Sequence, residues 1–232
     1  MKIAKCKISN QFREGAKAAL PIVLGYLPVG MAFGILARNA GLTPFEIGLM
    51  SLLVYAGASQ FIAVEMISKG VLGWPVVLTT FFINFRHFLM SSTLFLHFQK
   101  LPIRTLGFLS AELTDESFGM ALSDPSRIRN RPDYLFGLQI TSHLAWISGS
   151  VIGGLFGGLI NPQSFGLAFA LPGLFICLLV FQIRSLPHFW VVIIAGLSSL
   201  FFKWVFPGNW YVALAALLAA GCGILIESAK GK

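Results

Sequence analysis

Three side chains that can hydrogen-bond or carry charge, Asn84, Arg86 and His87, lie inside a long apolar stretch of this chain. Residues 74–78 before them and residues 88–90 after them are almost entirely hydrophobic. An arginine near the middle of a membrane-spanning helix costs about 2.5–3.5 kcal/mol on insertion scales, so it needs a partner group or a polar cavity. These residues are therefore the first candidates for binding a charged solute, with a structural clamp between helices as the alternative.

Three carboxylates follow at Glu112, Asp115 and Glu116, and their offsets of three and four place them on one helix face. Asp115 and Glu116 are natural ion-pair partners for Arg86 across a tight pair of helices. A carboxylate buried at membrane depth can also carry a proton, because desolvation favours its neutral form. The alternative interpretation is a solvated loop face.

A second polar group lies in the segment Gly57-Ala58-Ser59-Gln60-Phe61. Its small residues allow close helix contact, and Gln60 is a long amide that needs a partner in lipid. An intramembrane hydrolase that uses Ser59 and His87 is a remote alternative, because the usual elbow glycine after the serine is absent. His143 is interpreted as a packed, hydrogen-bonded histidine.

Two apolar runs contain Leu-Pro followed closely by glycine. Pro28 precedes Gly30 in the first run, and Pro172 precedes Gly173 in the second. A proline inside a helix removes a backbone hydrogen bond and frees a carbonyl. Broken helices at corresponding positions of inverted repeats often form a transporter's central site, so these positions predict broken spans. Ordinary proline kinks are the alternative.

The composition is typical of a multi-pass helical membrane protein. Of the 232 residues, 56% are hydrophobic and 11% are charged, whereas a soluble domain has about 25% charged residues. The net charge is +8, and the basic residues lie mostly between apolar segments, as in membrane proteins. This distribution argues against a nucleic-acid-binding protein. The three cysteines have no spacing typical of a disulfide framework or a metal site.

Apolar stretches of about 17–25 residues predict an all-α polytopic fold in one transmembrane domain, residues 1–232. The eight predicted spans are roughly 18–37, 45–68, 74–98, 105–122, 134–160, 165–182, 188–206 and 210–227. With both termini cytoplasmic, only Arg38, Lys100, Arg104 and Lys203 lie outside, and most other basic residues lie inside. Removing the fourth span reverses this distribution, so the positive-inside rule favours eight spans. The fourth span then places its carboxylates at membrane depth, on a full span or a re-entrant piece.

The three polar segments also carry a resemblance to a known family. Gly57-Ala58-Ser59-Gln60-Phe61, Asn84-Phe85-Arg86-His87 and Leu113-Thr114-Asp115-Glu116-Ser117-Phe118 occur in order and at this spacing. They resemble the large subunit of the AzlC-type branched-chain amino-acid permeases, the azaleucine-resistance exporters. The resemblance covers most of the chain and is most specific over residues 15–125. Phe85 stands where leucine is expected.

This resemblance implies a bacterial inner-membrane exporter of valine, leucine, isoleucine and related solutes such as methionine. It also implies coupling to the ion gradient of the membrane. Because buried carboxylates can carry protons, protons are the expected coupling ion, and no bound cofactor is expected. A small hydrophobic AzlD-type membrane subunit is the expected partner.

Polarity and motif position together predict the site. Arg86 either meets the substrate carboxylate or pairs with Asp115 and Glu116 in a gating network that responds to protons. The predicted path and gating residues are Ser59, Gln60, Asn84, Arg86, His87, Asp115 and Glu116, with backbone at Pro28, Gly30, Pro172 and Gly173. A transporter or channel for another small solute, or a scaffold that transports nothing, is the alternative class.

Overall fold

The structure is a computed structural model. It describes residues 9–96, 98, 101–124, 128, 131–160, 169, 172–173, 176, 179–180, 183, 185–205 and 210–230. Regular structure within these residues is entirely helical, as the composition predicts. The chain forms two compact units, residues 1–171 and residues 172–232.

The helices follow the predicted apolar stretches. The first unit contains α1 (Asn10–Ala18), α2 (Leu20–Asn39), α3 (Pro44–Leu53), α4 (Gly57–Ser68), α5 (Trp74–Phe95), α6 (Ile103–Ala111), α7 (Asp115–Ser123) and α8 (Pro132–Phe156), which continues into a 3₁₀ turn (Gly157–Leu159). The second unit contains α9 (Leu186–Val205) and α10 (Trp210–Lys230). These two helices pack together closely enough that a Cβ on Gly223 would lie 3.2 Å from Cγ2 of Val191.

Local hydrogen bonds explain where two of the helices begin. Thr43 accepts a hydrogen bond from the amide of Glu46 at 3.2 Å, and Glu46 accepts one from the amide of Thr43 at 2.7 Å. The same reciprocal arrangement joins Thr114 and Ser117 at the start of α7. Capping boxes of this kind satisfy amide groups that have no partner within the helix, and so they start α3 and α7 at these positions.

The predicted break at Pro28 and Gly30 is wrong, because α2 runs without interruption from Leu20 to Asn39. Pro28 removes one amide donor, but the helix continues past it to Asn39. Gly30 serves packing instead, since a Cβ there would lie 3.1 Å from the carbonyl oxygen of Trp146. Pro172 and Gly173 are helical, but most of their neighbours in the predicted span 165–182 lie outside the described residues.

The interruptions occur in two other predicted spans, residues 45–68 and residues 105–122. The first span divides into α3 and α4 at Tyr55, whose φ of +39° is uncommon for a residue with a side chain. The second divides into α6 and α7 between Glu112 and Thr114. Each break exposes backbone carbonyls or amides that a continuous helix would have used internally.

Close packing of α1 and α2 against α8 forms the centre of the first unit. A Cβ on Gly15 would collide with the carbonyl of Tyr134, and one on Gly34 would collide with the carbonyl of Ser150. A Cβ on Gly149 would lie 2.7 Å from the carbonyl oxygen of Leu27. Residues later in α1 and α2 thus contact residues later in α8, so α1 and α2 run parallel to α8.

Three helices are long and apolar enough to cross a membrane among the described residues. They are Leu20–Asn39, Pro132–Leu159 and Leu186–Val205. The last has no buried residue, and α5 likewise exposes a row of large apolar side chains, including Phe81, Phe82 and Phe88. Such faces suit contact with lipid.

The glycine contacts predict a difference between two alanine substitutions on α2. We expect Gly34→Ala to lower the free energy of unfolding by about 1–3 kcal/mol or more, because the new Cβ meets backbone that cannot move aside. Gly25→Ala is the matched control, since a Cβ at Gly25 meets nothing within 4 Å. Thermal unfolding of both variants in detergent measures the difference, and equal melting temperatures would contradict the packing contact.

Candidate functional site

Arg86, in the middle of α5, pairs with Asp115 in the first turn of α7. Nη1 of Arg86 lies 2.9 Å from Oδ2 of Asp115, and the two side chains are 29% and 17% exposed. Asp115 also lies where the helix dipole favours a negative charge. The structure therefore forms the internal ion pair that was one of the two arrangements predicted for Arg86.

Glu116 has a different partner, although it was also predicted to pair with Arg86. The hydroxyl of Tyr26 on α2 lies 2.6 Å from Oε2 of Glu116 and 2.9 Å from Oγ1 of Thr114, and it can donate to either oxygen. Tyr26 is buried, so this contact ties α2 to the start of α7. No sequence pattern marked Tyr26, because an isolated tyrosine in an apolar helix is usually a packing residue.

A second ionisable contact joins the break after α6 to the middle of α8. Oε2 of Glu112 lies 2.8 Å from Nδ1 of His143. Nε2 of His143 lies 3.1 Å from the carbonyl oxygen of Ser51, near the end of α3. The prediction that His143 is packed and hydrogen-bonded is confirmed, but its carboxylate partner was not expected.

Tyr55 connects these contacts at the interruption between α3 and α4. Its ring stacks on the imidazole of His143, with centroids 3.8 Å apart and planes inclined by 17°. It also meets the ring of Tyr26 edge to face at 6.5 Å. Both Glu112 and Glu116 interact electrostatically with Tyr55. We call the set Tyr26, Tyr55, Glu112, Glu116 and His143 the polar cluster.

Gln60 and Ser59 lie beside the polar cluster, and both are fully buried. Nε1 of Trp146 donates to Oε1 of Gln60 at 2.9 Å, and Nε2 of Gln60 donates to the hydroxyl of Ser51 at 3.3 Å. Ser59 donates to the carbonyl of Ala56 at 2.9 Å. The long amide thus has its expected partners, which join α4 to α3 and α8.

Asn84 and His87 flank the ion pair on α5. Within the described residues, buried Oδ1 of Asn84 and buried Nε of Arg86 have no hydrogen-bond partner. His87 interacts electrostatically with both Arg86 and Asp115. These groups leave hydrogen-bonding capacity next to a charged pair, which is what recognition of a polar solute requires.

The arrangement combines one ion pair, two hydrogen-bonded carboxyl groups and two interrupted helices. Such a combination can exchange protons and can bind a zwitterion through opposite charges. Among the described residues, no group of three His, Cys, Asp or Glu side chains is placed to hold a metal ion.

Comparison with known proteins identifies the family. The sequence model described as AzlC protein matches residues 21–160, more than half of the chain, and this chain belongs to that family. An uncharacterized membrane protein of Archaeoglobus fulgidus is 34% identical over 180 residues, which cover 76% of this chain and 78% of that protein. The inner membrane protein YgaZ of Escherichia coli is 35% identical, with coverage of 74% and 73%.

A more distant relative has a name that states a function. The branched-chain amino acid transport protein AzlC of Bacillus subtilis is 26% identical over 222 residues, which cover 94% of this chain and 85% of that protein. No solved structure matches the chain. The family membership predicted from the three polar segments is confirmed, and the chain is a helical membrane protein of this family.

The ion pair predicts coupling between Arg86 and Asp115 in a double-mutant cycle. Asp115→Asn leaves a partly buried guanidinium without its anion, so we expect the free energy of unfolding to fall by about 1–3 kcal/mol. This is less than the loss for a fully buried pair, because Arg86 is partly exposed. Unfolding in detergent micelles of both single variants and the double variant Arg86→Met/Asp115→Asn measures the coupling energy.

A matched control for this cycle is the pair Lys69–Glu65 on and after α4, whose side chains are 67% and 56% exposed. Coupling there is expected to be close to zero, because solvent screens an exposed pair. If the Arg86–Asp115 cycle gives no more coupling than this control, the ion pair does not hold α5 against α7.

Proposed function

We propose that this protein is a secondary transporter that exports branched-chain amino acids across the bacterial cytoplasmic membrane. Valine, leucine and isoleucine are the proposed substrates, with methionine as a related solute. The proposal draws support from membership of the AzlC family and from the name of the Bacillus subtilis relative. We further propose that a small hydrophobic AzlD-type membrane subunit completes the transport unit, and that no bound cofactor takes part.

The observation that carries this proposal is the meeting of two interrupted helices at a charged site. Asp115 and Glu116 begin α7 immediately after one break, and Asp115 pairs with Arg86. Irregular backbone and charges at membrane depth occur in proteins where they line a solute path or are buried in protein. An amino acid brings a carboxylate and an ammonium group, and both signs of charge are present here.

In this proposal, the substrate carboxylate competes with Asp115 for Arg86. The free Nε of Arg86 and the free Oδ1 of Asn84 lie next to the ion pair, where they can bind a carboxylate and an ammonium group respectively. His87 interacts electrostatically with both members of the ion pair. Ser59 and Gln60 hold the neighbouring break in place through their hydrogen bonds.

We propose eight spans with both termini cytoplasmic. The parallel packing of α2 and α8 supports this topology, because parallel helices enter the membrane from the same side. An odd number of crossings must then lie between them. The three elements α3–α4, α5 and α6–α7 supply such a number if each broken pair crosses once.

Efflux of preloaded radioactive valine tests the proposed function. The protein and its small partner subunit are expressed in cells that lack their own branched-chain exporters. We expect rapid efflux from the wild type and a loss of at least about tenfold, or ~1.4 kcal/mol, in Arg86→Ala and Asp115→Asn. Arg86→Ala removes the cation that binds the substrate carboxylate, and Asp115→Asn removes the anion that must displace this carboxylate from Arg86 for release.

Lys69→Ala is the control variant, since Lys69 forms an exposed ion pair away from the polar cluster. It should export valine like the wild type. Unchanged efflux from both Arg86→Ala and Asp115→Asn would reject the site, and no efflux from a folded wild type would reject the substrate class.

A further inference from the structure

We infer that the contact between Glu112 and His143 is the proton-binding site of this protein, separate from the ion pair of Arg86 and Asp115. This inference rests on the proposed function, because it assigns the group through which transport is coupled to the proton gradient. The ligand is a single proton, which the two side chains hold between them.

The Ser51 carbonyl determines which nitrogen of His143 carries a proton. Because α3 ends at Leu53, the carbonyl of Ser51 is among the last in the helix and is available to an outside partner. It lies 3.1 Å from Nε2 of His143. A carbonyl oxygen only accepts hydrogen bonds, so Nε2 must be the protonated nitrogen of a neutral imidazole.

The geometry at the other nitrogen then requires one more proton. With Nε2–H in place, a neutral imidazole presents a lone pair at Nδ1, only 2.8 Å from Oε2 of Glu112. A hydrogen bond at this distance needs a proton on one of these two atoms. The pair is therefore either imidazolium with carboxylate or neutral imidazole with carboxylic acid, and both forms have zero net charge.

Release of that proton has a defined electrostatic result. The pair changes from zero net charge to carboxylate plus neutral imidazole, which leaves one negative charge and two facing lone pairs. The side chains of His143 and Glu112 are only 11% and 15% exposed, so little solvent compensates. Loss of the proton therefore weakens the contact between the α6–α7 break and α8.

The surrounding groups make the pair a coupling site. Tyr55 covers the imidazole face, and Tyr26 on α2 lies against Tyr55. Tyr26 in turn donates to Glu116, which interacts electrostatically with both members of the Arg86–Asp115 ion pair. A change of charge at Glu112 therefore alters the electrostatic environment of the proposed substrate site through Tyr55 and Glu116.

Magnetic resonance of the purified protein tests proton binding without any transport substrate. With nitrogen-15 in histidine and carbon-13 in glutamate carboxyls, we expect Nε2 of His143 to carry a proton and one further proton to lie between Nδ1 of His143 and the carboxyl group of Glu112. His143→Asn assigns the histidine signals, and we expect Glu112→Gln to change the Nδ1 signal. An Nε2 without a proton, or an Nδ1 signal that is the same in Glu112→Gln as in the wild type, would overturn the inference.

Transport in proteoliposomes containing both subunits tests the role of that proton. Glu112→Gln replaces the acid by an amide that donates permanently to Nδ1 of His143. We expect it to retain valine–valine exchange but to lose acceleration of net efflux by a pH gradient. Glu65→Gln, an exposed carboxylate on α4, is the control and should keep the acceleration.

A Glu112→Gln protein that still responds to the pH gradient like the wild type would overturn the inference. If the proposed function itself is wrong, the wild type will move no valine either in cells or in proteoliposomes, which distinguishes the two failures. In that case the magnetic resonance experiment still decides whether His143 and Glu112 hold a proton between them.

Discussion

The close contact between α2 and α8 is the constraint on which the rest of the first unit depends. Backbone lies against backbone along this contact, so only glycine fits at positions such as Gly34 and Gly153. The contact brings Tyr26 of α2 within reach of Trp146 on α8, with ring centroids 5.4 Å apart. Both interrupted helices contact polar side chains of this pair, namely Tyr26 of α2 and His143 and Trp146 of α8.

Interrupted helices in a membrane protein need partners for the backbone and side-chain groups that they expose. Here each break provides a hydrogen-bond acceptor or an ion-pair partner to a side chain on a neighbouring helix. The break after α3 provides a carbonyl to His143, and the break before α7 provides Asp115 to Arg86. Removing one partner from such a network leaves an unpaired group in a low-dielectric region, so its members act together.

Two ionisable contacts with different properties lie near one another in this arrangement. The Arg86–Asp115 contact joins a guanidinium to a carboxylate, whereas the Glu112–His143 contact joins the two side chains to which we assign the shared proton. In the transport cycle that we propose, a charged solute opens the first contact, and release of a proton weakens the second. Glu116 and the two tyrosines link them across α2 and α7.

The sequence by itself determined the all-helical membrane class, the family and the pairing of Arg86 with Asp115 as one of two possible arrangements. These features are visible because composition, motif order and a charge in an apolar run do not depend on the fold. Only the tertiary structure decided that α2 is continuous and that the breaks lie at Tyr55 and after Glu112. A proline costs a helix one hydrogen bond, which packing against α8 offsets, so local sequence could not locate the breaks. It could not pair Glu112 with His143 either, because that contact joins residues 31 positions apart through packing of separate helices.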